Sequence, residues 1–435
     1  MHNEIASPQQ SASATSSQWL FSLVRALVFL FPITVATVGW GSSIFVLLLL
    51  PALYYGRGWN TLSTWEQRLM LGYVLVFAVM VLSMVNAQDF KESGQMLERF
   101  LRLALIVPIY LMFRRFRFCM GRELAAGALV ACFAMGAQAI YEVMWQGESH
   151  AEGYYHKIVF GDLAVWWAAV VAVLATTVVK NGWARAVIAV AISVALYASV
   201  LSQTRGAWLF IPLIPAILLW SQWHMLKNSR NWIVAGVAAL MVIGGGAAFQ
   251  SQKVMGGIER GVEELQSFEN NPGELSSWGT RLNLWRNSLL LLQETPILGS
   301  GVGDFRVDME RLVEEERSWS RHVVLFSHAH SIYFDALARG GILGLLTTVS
   351  VLLVFPFVIF ARELRRSRQP WSRFYAIGGV MLIAAFAVFG FSEGLWARNP
   401  LVNTYVTGLV VLLAGAVNSR EDSAQNASPP PGEYA

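Results

Sequence analysis

Ser327-His328-Ala329-His330-Ser331 joins the longest polar interval of the chain to an apolar run over 332–360, and that run decides the fold. Apolar stretches near 20 residues recur throughout the sequence, the length a helix needs to cross about 30 Å of hydrocarbon. Lipid offers no water to backbone amides, so such stretches must be helices packed together. The composition agrees: 435 residues, 55% of them hydrophobic, 17 Trp and only 14% charged, with a mean hydropathy of +0.49. This is an all-α polytopic membrane protein, and a soluble multidomain enzyme is excluded. The net charge of +4 does not imply nucleic acid, because the arginines gather in loops of one parity. Cys119 and Cys132 are the only cysteines, near or within apolar stretches, so neither a disulfide framework nor a thiolate metal site is expected.

Working outward from that join, spans are expected at roughly 19–40, 42–55, 66–85, 97–113, 123–145, 158–179, 185–203, 206–222, 231–249, 332–360, 374–394 and 400–417, about twelve in all. Residues 1–18, rich in Ser, Gln and Ala, are expected to be disordered, as is the tail 418–435 with Pro429-Pro430-Pro431. A cleavable signal peptide is not expected, since no basic run precedes the first apolar segment. Nine spans over 19–249 and three over 331–417 then flank an outer interval, 250–330. Basic residues fix the orientation. Arg57, Arg114, Arg115, Arg117, Arg122, Lys180, Arg185, Lys227, Arg230 and five arginines from Arg362 to Arg373 share one face. Asp89, Lys91, Glu92, Glu98, Glu148, Glu152 and Lys157 share the other. Both termini are thus expected in the cytoplasm and 250–330 outside, in the periplasm of a Gram-negative cell.

That outer interval is long enough for structure of its own. Lys253–Phe268 alternates acids with apolar residues, and Asn270-Asn271-Pro272-Gly273 breaks it. Thr280 is positioned to cap a second helix with an apolar face of Leu282, Trp285, Leu289 and Leu292, ending before Pro296. Gly299-Ser300-Gly301-Val302-Gly303 follows, then an acidic helix through Glu314-Glu315-Glu316 and the histidines. The glycine pattern is not a dinucleotide loop, because no strand precedes it. A tight turn at the bilayer surface accounts for it better.

Few residues here can carry chemistry. Arg205, between Thr204 and Gly206 at an outward turn, stands where orientation bias disfavours arginine. Two readings remain open: a guanidinium fork for phosphate oxygens, or an arginine snorkelling to the headgroups. Arg281 and Arg286 are five apart, so on one helix they point about 140° from each other. Arg281 is the candidate anion ligand and Arg286 the one facing solvent or an acid, although either can equally be a salt-bridge partner. His328 and His330 share a side only in an extended segment. A histidine there can act as a general base near neutral pH, or merely bond the start of a helix. A metal site needs a third ligand, Asp304 or Asp308, and no spacing such as His-Glu-x-x-His occurs, so no metal or other cofactor is expected. Two arginines and a histidine on one face suit a lipid-linked diphosphate: the forks bind the leaving group and the imidazole deprotonates a sugar hydroxyl.

The sequence resembles the O-antigen ligase family of bacterial inner membranes, within a group that includes O-antigen polymerases and protein O-oligosaccharyltransferases. The resemblance rests on Thr204-Arg205-Gly206; on Thr280-Arg281 with Trp285, then Pro296-Ile297-Leu298-Gly299-x-Gly301; and on His330-Ser331, nine residues, then Gly341-Ile342-Leu343-Gly344. It implies a class C membrane glycosyltransferase, metal-independent and inverting, acting in lipopolysaccharide biosynthesis. Such an enzyme moves a polysaccharide from undecaprenyl diphosphate to the lipid A–core oligosaccharide at the periplasmic face. By position, His330 is the implied base, Arg205 and Arg281 the diphosphate ligands, and His328 an acceptor-orienting neighbour. Asp335 occupies a commonly acidic position with an open role, and Arg339 stands where relatives often place an acid. Polymerase and protein-directed transferase remain alternatives with the same donor. A transporter or flippase is the alternative of another class, disfavoured because the polar residues gather at the outer surface and not at mid-membrane.

Overall fold

The computed structural model describes residues 8–222 and 252–427. No strand occurs among them. In chain order the helices are α1 (Pro8–Thr37), α2 (Ile44–Tyr55), α3 (Thr64–Ser83), α4 (Phe90–Ala104), α5 (Ile106–Arg115), α6 (Gly121–Ile140), α7 (Lys157–Thr177), α8 (Gly182–Leu201), α9 (Arg205–Trp208) and α10 (Leu213–Gln222). Across the undescribed interval they resume as α11 (Gln252–Asn270), α12 (Ser277–Glu294), α13 (Phe305–Glu314), α14 (Ile332–Thr347), α15 (Phe355–Arg366), α16 (Pro370–Phe389) and α17 (Asn399–Ala427).

Eight helices among the described residues are long and apolar enough to cross a membrane: α1, α3, α6, α7, α8, α14 continued through α15, α16 and α17. The chain is a multi-pass membrane protein. Not every expected span is one long continuous helix among the described residues. The stretch 42–55 is a shorter apolar helix, 97–113 divides between α4 and α5, and 206–222 divides between α9 and α10 around Pro212. The expected span 231–249 lies outside the described residues. Helices α7 and α17 are surrounded on all sides, with 89% and 100% of their apolar windows buried, and they form the centre of the bundle. Helix α3 shows why local sequence starts a span where it does: Ser63 and Glu66 close a reciprocal capping box at its first turn.

Both ends of the chain are more helical than expected. Helix α1 begins at Pro8, inside the stretch 1–18. Helix α17 runs past Asn418 to Ala427. For α17 the reason is a set of ion pairs at that end of the bundle. Arg114 bonds Glu66 (2.7 Å) and Glu421 (2.7 Å), Arg117 bonds Asp422, and Arg420 reaches Glu363 at 3.1 Å. These contacts extend the helix beyond its apolar part, where composition alone reads as a solvated tail.

The interval between α10 and α14 has a small core of its own, formed by Leu284, Leu291, Phe305, Met309, Leu312, Val323, Ala329 and Ala338. Helix α12 begins earlier than expected: Ser276 caps it by accepting from the Gly279 amide at 3.0 Å, and Thr280 is buried one turn in. Its buried face is Asn283, Leu284, Asn287, Ser288 and Leu291, while Leu289, expected on that face, is 45% exposed. Amide side chains occupy the face because they have partners there. Asn283 donates to the Pro272 carbonyl at 2.7 Å and Asn287 to the Ser318 hydroxyl at 2.9 Å.

The two glycine motifs meet each other. Helix α14 breaks at Gly341, whose backbone lies at φ 60°, ψ −154°, outside the range L-residues adopt. The break releases the amides of Ile342 and Leu343 to the carbonyls of Pro296 and Ile297, at 2.9 and 3.3 Å. The turn that follows presses Gly299 (φ +71°) against the backbone of Ala338 and Arg339, with no room for a Cβ. A Cβ at Gly341 would lie 2.6 Å from the Ile297 carbonyl. Gly341→Ala is therefore expected to destabilise by at least the cost of a strained backbone, about 1–3 kcal/mol, read as a lowered Tm in detergent or nanodiscs.

Candidate active site

The histidine segment is held by its neighbours, not by secondary structure of its own. The peptide at Ala329 is gripped from both sides: its carbonyl accepts from Trp285 Nε1 at 3.0 Å and its amide donates to Asp335 Oδ1 at 3.2 Å. Trp285 is fixed in turn by stacking on Phe334, with ring centroids 5.0 Å apart. Asp335 has a buried partner, Arg339, at 3.0 Å, and Arg339 also donates to the carbonyls of Val302 and Ser327. A buried guanidinium is tolerated because every direction of its fork meets an acceptor. Arg339 thus ties the glycine turn, the histidine segment and α14 together, and Asp335 is a support for the backbone beneath the histidines.

His330 itself has φ +48°, a left-handed conformation that costs a β-substituted residue roughly 1–2 kcal/mol and persists only where the surroundings impose it. The turn swings both imidazoles to one side, with ring centroids 4.3 Å apart. They converge on Glu393, in the connection between α16 and α17. His328 Nε2 lies 2.9 Å from Glu393 Oε1 and His330 Nδ1 lies 3.2 Å from Oε2. Arg398 Nε also reaches Oε1, at 3.2 Å. Two bonds hold the elements in register: Ile332 N donates to the Gly390 carbonyl (2.8 Å) and the Tyr333 hydroxyl to that of Ala387 (2.8 Å). Gly394 permits the approach, since a Cβ there would stand 2.4 Å from the His328 ring.

Glu393 is fully buried. Burial alone raises its pKa, but the hydrogen bonds from His328 and His330 outweigh it and hold the carboxyl well below its ordinary range. An ionised carboxylate only accepts, so both imidazoles donate to it. His330 then carries its proton on Nδ1 and its lone pair on Nε2. Burial lowers the His330 pKa, Glu393 pulls it back up, and His328 and Arg281 push it down, leaving it below the usual histidine value. The imidazole is neutral at pH 7 and competent as a base.

His330 and Arg281 line the same cavity, of about 280 Å³, together with Leu275, Ser276, Ser277, Thr280 and Phe326. Arg281 is oriented by Ser277, accepting at 2.6 Å through its hydroxyl and 3.0 Å through its carbonyl, and by the Ser392 carbonyl at 3.4 Å, next to Glu393. Burial lowers the Arg281 pKa from the usual arginine value; Glu393 and Glu264 oppose this and the Arg205 charge reinforces it. Arg205 is not among the residues lining that cavity, yet its turn is adjacent. A Cβ on Gly206 would meet the Ser392 hydroxyl, and Arg205 Nη2 lies 3.5 Å from Glu264 Oε1. Arg286 is placed elsewhere. It donates to the Arg317 carbonyl at 2.7 Å and stacks 4.1 Å above the half-exposed Trp319 ring, a structural contact away from the cavity.

The third group that could join the histidines around a cation is Glu393, whose ligand atom lies within 4.8 Å of theirs. Asp304, expected as a possible ligand, accepts instead from the amides of Gln88 (2.6 Å) and Asp89 (2.8 Å).

A family model described as O-Antigen ligase matches residues 188–349. Over that segment the chain is similar to the O-antigen ligase family. An uncharacterized protein of Haemophilus influenzae is similar to it, 22% identical over 347 residues, 78% of this chain and 83% of its own length. The matched segment contains Arg205, Arg281, His328, His330 and Asp335, whereas Glu393 and Arg398 lie beyond it. Sequence reading missed Glu393, although a signal was present: it is an acid at the end of the expected apolar span 374–394, and ionisable residues in such places are usually functional. The same signal marks Asp162 in α7, fully buried and with neither carboxylate oxygen paired. His156, which caps α7 by accepting from the Ile158 amide at 3.3 Å, was missed too. Burial lowers its pKa, and the charges of Arg398, Glu393 and His330 all reach it.

Proposed function

We propose that the protein is an O-antigen ligase, transferring a polysaccharide from undecaprenyl diphosphate to the lipid A–core oligosaccharide at the periplasmic face of the inner membrane. The observation that carries this reading is the shared cavity of Arg281 and His330, with Glu393 behind the imidazole. An acceptor hydroxyl gives its proton to His330 Nε2 as its oxygen bonds to the anomeric carbon. The bond from that carbon to the diphosphate breaks on the opposite face, so the configuration inverts. Arg281, with Arg205 beside it, binds the departing diphosphate and stabilises its growing charge. Glu393 stabilises the imidazolium as it forms, in the manner of a base and its orienting carboxylate. At about 280 Å³ the cavity is at the small end of ligand pockets, about 300–1,000 Å³; it holds the reacting ends of two long substrates. Both termini then lie in the cytoplasm, and residues 250–330 face the periplasm with the site.

Purified protein in nanodiscs, given a polyprenyl diphosphate-linked glycan and lipid A–core with EDTA and no energy source, should form product. A product formed only on adding a divalent cation would refute the metal-free route, and no product at all would favour a transporter. Transfer to a second donor glycan in place of the core would identify a polymerase, and transfer to a protein an oligosaccharyltransferase. Arg281→Lys should lose transfer about 10²-fold, because an ammonium cannot form the two parallel bonds of the fork. Its donor dissociation constant should rise with the loss.

A further inference from the structure

A second cavity lies at the end of the bundle away from the histidines. Gly121, the first residue of α6, donates through its amide to the Tyr375 hydroxyl at 2.8 Å, near the start of α16, whereas Glu393 follows the far end of that helix. Between α1 and α6, beside Gly121, is an open cavity of about 440 Å³. Small side chains, Ser22, Ala26 and Ala126, line it together with three charged ones, Arg25, Arg122 and Glu123. The two helices touch at Gly127, where a Cβ would stand 2.2 Å from the Phe29 carbonyl. Outside that contact the exposed Ser22, Ala26 and Ala126 are too short to fill the groove. One turn further along the same faces stand Leu30 and Val130, then Phe133, all exposed. Arg25 lies well inside the apolar span that begins at Gln18, and Trp19, exposed less than two turns before it, is of the type that gathers at the membrane interface. Arg25 Nε bonds Glu123 Oε1 at 2.7 Å. Arg122 has no carboxylate partner among the described residues; its guanidinium lies 5.8 Å over the Trp371 ring. Two guanidinium groups and one carboxylate leave the cavity with a net charge of +1.

We infer that this notch binds one phospholipid of net charge −1, of the phosphatidylglycerol kind, from the leaflet at that end. Arg122 and Arg25 hold its phosphodiester, and an acyl chain lies between the helices over Ala26 and Ala126, toward Leu30, Val130 and Phe133. The charge decides the class. A phosphodiester alone cancels the net +1, and guanidinium forks suit its oxygens. A zwitterionic lipid brings an ammonium group as well, for which Glu123 is the one carboxylate lining the cavity, and Arg25 already bonds it. The shape decides against a soluble anion. The charged cavity continues into exposed apolar side chains, a sequence that matches a headgroup followed by a hydrocarbon tail. A lipid seated there bridges α1 and α6, so it stabilises the folded chain by mass action.

Native mass spectrometry of the full-length protein in detergent tests this. Phosphatidylglycerol, phosphatidylethanolamine and phosphatidylcholine with matched chains are titrated in turn, and bound lipid is counted. The wild type should bind phosphatidylglycerol about tenfold more tightly than either zwitterionic lipid, and its Tm should rise with phosphatidylglycerol alone. Arg122→Gln should bring the three affinities within about twofold of one another, with Tm in phosphatidylcholine unchanged. Ala126→Leu keeps every charge but fills the notch, and should weaken phosphatidylglycerol binding about tenfold as well. Equal binding of the three lipids by the wild type would overturn the inference, as would a preference that survives both variants. Tighter binding of phosphatidylethanolamine would overturn it too, by assigning Glu123 to an ammonium group. Displacement of phosphatidylglycerol by inorganic phosphate at equal concentration would do the same, by making the cavity a site for soluble anions. None of these measurements involves transfer, so their outcome stands apart from the reaction assigned to His330.

Discussion

His330→Ala is expected to lower transfer by about 10³-fold or more, at the upper part of the range for removing a general base, with donor binding nearly unchanged. The reason is geometric. Of the groups lining the cavity, His330 alone combines a neutral imidazole with a carboxylate behind it. The change also touches a strained backbone, since His330 sits at φ +48°. His330→Asn separates the two effects, because asparagine tolerates this conformation better than most residues but cannot serve as a base. Both variants should be equally inactive in a reconstituted transfer assay, and asparagine should retain more of the wild-type Tm. Activity in the asparagine variant above about a tenth of wild type would remove His330 from the role of base.

The second large effect is expected at Glu393. Glu393→Gln should lower transfer about 10²-fold and move the acid limb of the pH profile toward lower pH. The sign follows from the charges. Glu393 pulls the His330 pKa up against burial, so its loss lets that pKa fall further, and the imidazole stays neutral to more acidic values. Transfer by the wild type should rise with pH through a point below the ordinary histidine value of about 6.5 and level off above it. Glu393→Ala should be worse for the fold, because it leaves Arg398 and two buried imidazoles without their shared acceptor; breaking a buried charge cluster costs about 3–5 kcal/mol. A pH profile unmoved in Glu393→Gln would mean that the carboxylate only holds the loop.

The sequence by itself determined the class of the protein and the elements that local rules govern. Apolar runs near the bilayer length force helices, because lipid satisfies no backbone amide, and eight of them stand among the described residues. Composition also pointed to a helix over Lys253–Phe268, which runs over Gln252–Asn270, and to its break at Asn270-Asn271-Pro272-Gly273. Motif order was enough to suggest the family.

What the tertiary structure decided concerns pairs distant in sequence. Glu393 lies 63 residues beyond His330, and only the packing of α14 against the end of α16 brings them together. Arg286 and Arg281 look alike in sequence; Trp319 and the Arg317 carbonyl claim the first, and the cavity the second. The length of α17 was set by Arg114 and Arg117, some 300 residues earlier. Propensity and hydropathy act over a few residues, whereas burial, ion pairing and the pKa of a base depend on which surfaces meet. A single sequence does not contain that meeting in readable form until the chain is folded.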